Sequence, residues 1–195
     1  MNKELNEKII EIALRICKRK EGALIIVGEA DYTPLVEQEV EPFNIINNPK
    51  LLESLALMDG ACIINQNGFL KAYGVKIKSN FTWKNFGTKH SAGYSASIKN
   101  DTTAYVISEE DTTIRIFKEG KLILEIDGRQ KDIEKKIPEI SKIIESIGWG
   151  TLGTIGMGLL APALGIVITS GITIFAVTTG ITYTIKKLQD LKIIR

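Results

Sequence analysis

Three short motifs with polar and glycine residues lie between residues 59 and 110 of this 195-residue chain. They are Asp-Gly-Ala at 59–61, Gly-Thr-Lys-His at 87–90 and Ser-Glu-Glu at 108–110. Glycine lets backbone amides approach an anion, a helix N-terminus adds the positive end of its dipole, and carboxylates bind divalent cations. Taken together, the motifs predict a site for nucleotide phosphates.

The motif at 87–90 is the most informative of the three. Gly87 allows close approach of an anion, Thr88 offers hydroxyl and backbone donors, and Lys89 adds positive charge at a predicted helix start. His90 is the only histidine in the chain. A lone histidine is more often structural than catalytic, but its position after a phosphate signal makes it a candidate. In the third motif, Ser108 offers a hydroxyl to phosphate and its acidic neighbours offer a carboxylate to a metal.

The spacing of apolar residues predicts a mixed α/β domain that positions these motifs. Helical periodicity predicts helices near residues 5–20, 51–56, 89–98 and 130–145, the last interrupted by Pro138. Short apolar runs predict strands near residues 23–28, 61–64, 69–77, 104–107, 113–117 and 121–126. Asn67-Gly68 predicts a type I′ hairpin turn, and an edge strand is expected near 43–46. The expected fold is a mixed central sheet flanked by helices.

Composition limits the function classes. A chain of 195 residues with 44% hydrophobic content buries one substantial core. The net charge of +2 provides no general basic surface, so we expect no nucleic-acid partner. Cys17 and Cys62 have neither disulfide nor metal-ligand spacing, and we expect both to be reduced core residues.

A charge-free segment from 146 to 185 sets the C-terminal region apart. As one helix it would measure roughly 60 Å, about twice the thickness of a bilayer core, so we predict a hydrophobic helical hairpin with arms at 147–161 and 165–185. Basic residues on both flanks favour a two-pass transmembrane hairpin with both ends in the cytoplasm. The alternative is a buried helical hairpin, or additional strands, in a soluble core.

The predicted organisation therefore has four parts. They are an N-terminal catalytic domain over 1–128, a linker helix over 129–145, the transmembrane hairpin over 146–185 and a basic tail over 186–195. The expected location is the membrane, with the catalytic domain in the cytoplasm.

The order and spacing of the motifs resemble those of the diadenylate cyclase domain. They read MDGACII, FGTKHSAG and YVISEED in this chain, and the resemblance is strongest to the archaeal form of the domain. It covers roughly residues 5 to 127. The resemblance implies condensation of two ATP molecules into the second messenger cyclic di-AMP, with release of two pyrophosphates. It also implies a divalent cation, Mn²⁺ or Mg²⁺, and a face-to-face homodimer in which each chain holds one ATP.

The resemblance also implies roles for individual residues. Asp59 would lie beside the metal and the attacking 3′-hydroxyl, and Glu110 would complete the metal site. Asp59, Lys89 and His90 are the implied catalytic residues. The implied nucleotide-binding residues are Gly60, Ala61, Gly74, Gly87, Thr88, Lys89, His90 and Ser108.

Four positions depart from the family pattern. Lys89 and Ser91 stand where arginines are usual, Met58 replaces a frequent histidine, and Tyr73 is bulkier than the usual alanine. Lysine is a point charge, whereas arginine binds phosphate through two parallel hydrogen bonds. The departures keep open an alternative function, a catalytically degenerate nucleotide-binding sensor or effector coupled to the membrane hairpin. A membrane-tethered interaction domain without a nucleotide site is a third possibility.

Overall fold

The computed structural model describes residues 3–79 and 87–146, together with the backbone of 166–170, 173–178 and 181–184. Two of the predicted elements lie outside these ranges. The first arm of the predicted hairpin, at 147–161, and the basic tail at 186–195 are not among the described residues.

The described residues alternate helices and strands, as the apolar periodicity predicts. The helices are α1 (Lys3–Lys18), α2 (Pro49–Ala56), α3 (Thr88–Ser97) and α4 (Ile137–Ser146), the last preceded by a 3-10 turn, Ile133–Lys136. The strands of the N-terminal part are β1 (Ala23–Val27), β2 (Tyr32–Pro34), β3 (Ala61–Ile64), β4 (Leu70–Ile77), β5 (Thr103–Ser108), β6 (Thr113–Lys118) and β7 (Lys121–Asp127).

These seven strands form one mixed sheet in the order β7-β6-β5-β1-β3-β4-β2. Only β1 and β3 pair in parallel; the other pairs among them are antiparallel. Apolar side chains from α1, α2 and α4 pack on one face of the sheet, in a core that includes Tyr105 and Ile116. Side chains of α3 pack on the other face, with Val106 and Phe117. The predicted mixed sheet flanked by helices is confirmed.

The hairpin between β3 and β4 has a different turn from the one predicted. The Gly68 amide donates to the Asn65 carbonyl at 3.0 Å, so residues 66 and 67 occupy the centre of the turn. Among residues 65–68 of this turn, only Gly68 has positive φ, at 82°. This is a type I turn followed by a left-handed glycine, because the Asn65 side chain accepts amides from residues 67 and 69 and stabilises the longer loop.

The edge strand is also elsewhere. β2, at Tyr32–Pro34, pairs with the end of β4, whereas the predicted strand near 43–46 contributes a single bridge between Asn44 and Phe69. Pro42 precedes that segment and Pro49 begins the next helix, so little room remains for a ladder.

The described part of the C-terminal segment is extended. It forms β8 (Ile166–Ser170), β9 (Thr173–Thr178) and β10 (Ile181–Thr184), and β8 pairs with β7 through Ile168 and Leu124. A helical second arm over 165–185 is therefore not found where the backbone is described. The segment is rich in Ile, Val and Thr, whose branched β-carbons favour strands. Within the residues covered by the structure, no helix combines the length and apolar character needed to cross a bilayer.

α4 belongs to the same core as α1. Ile140 and Ile144 are fully buried in that core, and the Ser141 hydroxyl donates to the Lys3 carbonyl at 3.2 Å. Pro138 is the second residue of α4, where its missing amide has no helical partner to lose, so it separates the helix from the preceding 3-10 turn. The predicted domain boundary at residue 128 stays a prediction. Cys17 and Cys62 are buried free thiols, as expected.

Candidate functional site

Strand register brings two of the motifs to the same end of the sheet. Ile25 of β1 pairs with Cys62 of β3 and with Tyr105 of β5. Continued three residues back, to Gly22 just before β1, the same register puts Asp59 level with Ser108. β3 and β5 flank β1, so about 10 Å separates the two backbones at this level. We call this end, where β1, β3 and β6 begin and β5 and β7 end, the motif end.

The helix start at 87–90 lies at the same end. Lys89 Nζ donates to the carbonyl of Gly22, directly before β1, at 3.2 Å. Gly87 is the exposed N-cap of α3, with extended backbone and no side-chain cap, and Thr88 is exposed beside it. The first amides of a helix have no helical acceptor and the dipole places positive potential there. All three predicted motifs therefore meet at the motif end, around a helix terminus suited to an anion.

Gly60 and Gly74 allow two backbones to touch at the start of β3. A Cβ on Gly60 would lie 2.6 Å from the Val75 nitrogen and 2.7 Å from its carbonyl oxygen, and Gly60 has φ of 98°. Gly74 has φ of 54°, and a Cβ there would meet Val36 Cγ2 at 2.7 Å. Both positions therefore require glycine for steric and conformational reasons. The resemblance implied that Gly60 allows close approach of a nucleotide and that Gly74 lines the base pocket; here the groups that approach both glycines are protein atoms.

Asp59 presents its carboxylate at the surface of this tight junction. Its Oδ1 accepts the amide of Gly60 at 2.9 Å, and the residue is exposed. Ala61 is buried and pairs with Val75, where the β3–β4 ladder shifts register. The irregular ladder holds Asp59 at the motif end, where its carboxylate can reach a cation or a hydroxyl in solvent.

Tyr73 points into the core beneath α2. It is buried with that apolar cluster, on the opposite face from Ala72 and Val75. Its hydroxyl accepts the amide of Glu39 at 2.9 Å and donates to the carbonyl of Glu37 at 3.0 Å. The bulk of Tyr73 therefore anchors the loop that follows β2.

His90 is buried, 7% exposed, and contacts an arginine of β6. Its Nε2 lies 2.9 Å from Nη1 of Arg115. Burial first, and then the positive charge of Arg115, lower the pKa of His90 below 6.5, while Asp111 opposes the shift. A guanidinium can only donate, so Nε2 is the acceptor and the ring is neutral.

Arg115 is itself held by carboxylates on two sides. Its Nε donates to Glu125 of β7 at 2.8 Å, directly across the strand pair, and Nη2 donates to Asp111. Burial alone would raise the pKa of Asp111, but hydrogen bonds from Arg115, Thr113 and Ser108 hold that pKa well below its usual range. The Asp111 carboxylate thus stays ionised, and together the hydrogen bonds to Asp111 and Glu125 fix the guanidinium in one orientation.

The third motif divides between the interior and the surface. Ser108 is buried and its hydroxyl contacts the Asp111 carboxylate, whereas Glu109 and Glu110 are exposed. Where the chain is described, no cluster of three or more His, Cys, Asp or Glu is arranged to hold a metal. Asp59 and Glu110 are nevertheless exposed carboxylates at one end of the sheet, and carboxylate oxygens suit Mg²⁺ or Mn²⁺. Their donor chemistry fits a divalent cation that is also bound by substrate phosphates.

A family model matches residues 11–122, more than half of the chain; its description reads "DisA bacterial checkpoint controller nucleotide-binding" (DAC). The chain belongs to the DAC family. The matched range contains all three motifs and the segments that bring them together.

Curated relatives of this DAC chain include archaeal proteins. A Haloferax volcanii protein named diadenylate cyclase is 33% identical over 143 residues, covering 61% of this chain and 51% of the relative. A Methanocaldococcus jannaschii protein of the same name is 32% identical over 81 residues, covering 40% of this chain and 26% of the relative. The DNA integrity scanning protein DisA of Corynebacterium efficiens is 26% identical over 110 residues, covering 55% and 31%. The chain spans about half the length of the first relative, and less of the others.

Two solved structures resemble the DAC chain at lower identity. DacA from Staphylococcus aureus, solved as a double cysteine mutant, has a TM-score of 0.49 and 18% identity, covering 75% of this chain and 96% of that one. A hypothetical membrane spanning protein from Bacillus cereus has a TM-score of 0.44 and 24% identity, covering 58% and 59%.

The charged network around Arg115 in this DAC domain was not predicted from the sequence. Arg115, Asp111 and Glu125 were not among the candidate residues. One signal was present: Arg115 interrupts an apolar strand, TIRIF, and a buried arginine needs an acidic partner. The identity of those partners depends on strand pairing and could not be derived from local spacing.

Proposed function

We propose that this chain supplies one half of a diadenylate cyclase, which condenses two ATP molecules into cyclic di-AMP. The observation that carries the proposal is that strand register and α3 bring residues 59–61, 87–90 and 108–110 to one end of the sheet. Membership of the DAC family and two relatives named diadenylate cyclase support it.

The proposed reaction joins two chains face to face, each holding one ATP. The 3′-oxygen of each ATP forms a bond to the α-phosphorus of the other, and the bond from that phosphorus to the pyrophosphate oxygen breaks. Each 3′-hydroxyl loses its proton, and two pyrophosphates leave. Most of the catalysis in such a transfer comes from positioning and from neutralising charge.

The residues at the motif end divide this work. Asp59, exposed and tied to the Gly60 amide, is proposed to orient the 3′-hydroxyl and to bind the cation together with Glu110. When bound, Mg²⁺ or Mn²⁺ would neutralise phosphate charge. Thr88 and the first amides of α3 are proposed to bind phosphate oxygens. Lys89 and Ser108 are proposed to contact the same phosphates from the side. The resemblance assigns Gly60, Ala61, Gly74 and Gly87 to the nucleotide site. Of these, the exposed Gly87 is proposed to leave room for the nucleotide, whereas Val75 and Val36 fill the space beside Gly60 and Gly74.

The test is product formation by the purified full chain with ATP and Mn²⁺ or Mg²⁺. We expect cyclic di-AMP from the native sequence and a loss of at least about a thousandfold in Asp59→Asn, since a charged group at the reacting oxygen is removed. Asp101→Asn is the matched control. Asp101 is an exposed aspartate near the start of β5, at the other end of the sheet, and its φ of 55° suits asparagine. Equal rates in both variants would contradict the proposed role of Asp59.

A second function is favoured by one specific contact. Lys89 Nζ donates to the Gly22 carbonyl, and lysine replaces the arginine that the resemblance leads one to expect. A chain whose Lys89 stays on that carbonyl would bind a nucleotide without turning it over and act as a sensor or effector. Calorimetry separates the two functions: binding of ATP with no product from folded protein, under both metals, identifies the degenerate binder.

Membrane association of residues 146–185 is a further part of the proposal. It rests on the absence of charge over that segment and on the basic residues that flank it. The catalytic domain would then face the cytoplasm. In a flotation assay, the full chain is expected to rise with phospholipid vesicles without added nucleotide; recovery in the lipid-free fraction at low and high salt would contradict this.

A further inference from the structure

A partly buried hydrogen-bond relay connects β7 to the start of α3. Glu125 and Asp111 hold Arg115, and Arg115 holds Nε2 of His90. The side chain of Arg115 is only 9% exposed, so its orientation is set by these partners. The relay ends at the first turn of α3, the turn proposed to bind phosphate.

The protonation state of His90 follows from donor and acceptor chemistry. Every guanidinium nitrogen of Arg115 donates, so the Nε2 lone pair of His90 is occupied as an acceptor. A neutral imidazole with an acceptor at Nε2 carries its proton on Nδ1. Nδ1 lies on the Gly87 side of the ring, 4.0 Å from the place that a Cβ on Gly87 would occupy.

We propose that Arg115 is a positioning residue that fixes His90 as a neutral donor with its proton on Nδ1, directed at the first turn of α3. His90 in this state cannot act as general base for the 3′-hydroxyl, because one nitrogen already accepts from Arg115 and the other already holds a proton. Its chemistry is hydrogen-bond donation to a nucleotide phosphate at that turn. The identity of the ligand, a nucleotide phosphate, rests on the proposed function. The tautomer of His90 does not, because it is set by the protein alone.

The charged groups around His90 agree with this assignment. Arg115 lies against Nε2 from β6, and a second proton on the ring would place two cations in contact in a buried site. Asp111, after β5, opposes that repulsion, but its carboxylate is engaged by Arg115, Thr113 and Ser108. Lys89, the neighbour of His90 in α3, adds further positive charge on the Gly22 side.

The first experiment observes His90 directly. Because it is the only histidine, ¹⁵N-histidine labelling of the full chain gives signals from this ring alone. Two-bond ¹H–¹⁵N spectra at pH 7 are expected to show a neutral ring with a protonated Nδ1. A proton on Nε2, a doubly protonated ring or a fast mixture of tautomers would overturn the proposal.

The second experiment weakens the relay while keeping its charge. Arg115→Lys is expected to shift His90 to a mixture of tautomers and to lower turnover about tenfold through kcat, the effect of losing one well-directed charged hydrogen bond. Arg129→Lys is the matched control, since Arg129 pairs with Asp127 at the same end of the sheet. An unchanged His90 spectrum in folded Arg115→Lys would overturn the positioning role. If no variant turns ATP over but the tautomer is as stated, cyclase activity fails and the relay stands.

Discussion

The two sides of the motif end are built on different principles. On the β3–β4 side, Gly60 and Gly74 let two backbones meet, and the carboxylate of Asp59 stands in solvent. On the α3–β6 side, the buried side chains of His90 and Arg115 set the geometry. Main-chain conformation therefore fixes the β3–β4 side, and a charged side-chain network fixes the α3–β6 side. Substitutions on the two sides should therefore differ in their effects on stability and on turnover.

The largest effect is expected from adding a methyl group on the main-chain side. Gly60→Ala forces a left-handed alanine against the Val75 backbone, and we expect a loss of about 3 kcal/mol or more in the free energy of unfolding. Gly87→Ala is the control. Gly87 has φ of −65°, and among the described residues no neighbour lies nearer than 4.0 Å to the added carbon, so the loss should stay within about 1 kcal/mol. Urea unfolding measures both, and equal losses would remove the distinction.

A smaller loss is expected from neutralising the side-chain network. Asp111→Asn removes a carboxylate that accepts from Arg115 and Thr113, but Asp111 is 43% exposed, so we expect about 1 to 2 kcal/mol. The native pKa of Asp111 lies below the unfolded value of 3.8. Its stabilising contribution is therefore present above that pH and is lost as the pH falls through the lower native pKa. Acid unfolding should be less steep in the variant; identical acid profiles would argue against an ionised Asp111 in the folded network.

Lys89 belongs to α3 and contacts Gly22, just before β1, between the β3–β4 and α3–β6 sides. Its substitution shows whether residue 89 contacts phosphate. If Lys89 contributes to catalysis, Lys89→Arg should raise kcat/KM for ATP about tenfold, because a guanidinium forms two parallel bonds to phosphate. Steady-state kinetics measures this, with Lys71→Arg as control, since Lys71 pairs with Glu29 at the opposite end of the sheet. A rate that is unchanged or lower would contradict the gain expected from a bidentate contact between residue 89 and phosphate.

The smallest effect is expected from the titration of His90. Its native pKa is below the unfolded value of 6.5, chiefly through burial. The unfolded chain therefore binds more protons near pH 6, and stability rises with pH across that window. Urea midpoints from pH 5 to 8 should show this slope, and His90→Gln should flatten it. A slope of opposite sign would mean that the histidine is stabilised as a cation.

Sequence predicted the main-chain side better than the network. Asp59-Gly60 is contiguous and could be identified as part of a family motif without a structure, although the contact of Gly60 with the Val75 backbone depends on strand pairing. The start of α3 was predicted at Lys89, within one residue of the observed Thr88, from a local signal. The contact from His90 to Arg115 joins residues 25 apart on a helix and a strand, and it depends on tertiary packing. The turn type at Gly68 and the extended backbone within 166–184 also depended on preferences that apolar periodicity does not resolve.

Product analysis tests the central claim most directly. Purified full-length protein is incubated with ATP and Mn²⁺ or Mg²⁺, and both cyclic dinucleotide and pyrophosphate are quantified by mass spectrometry and a pyrophosphate assay. We expect cyclic di-AMP with two pyrophosphates per product, a rate that rises with dimerisation, and loss of both products in Asp59→Asn but not in Asp101→Asn. Folded protein that binds ATP and yields neither product with either metal would contradict it.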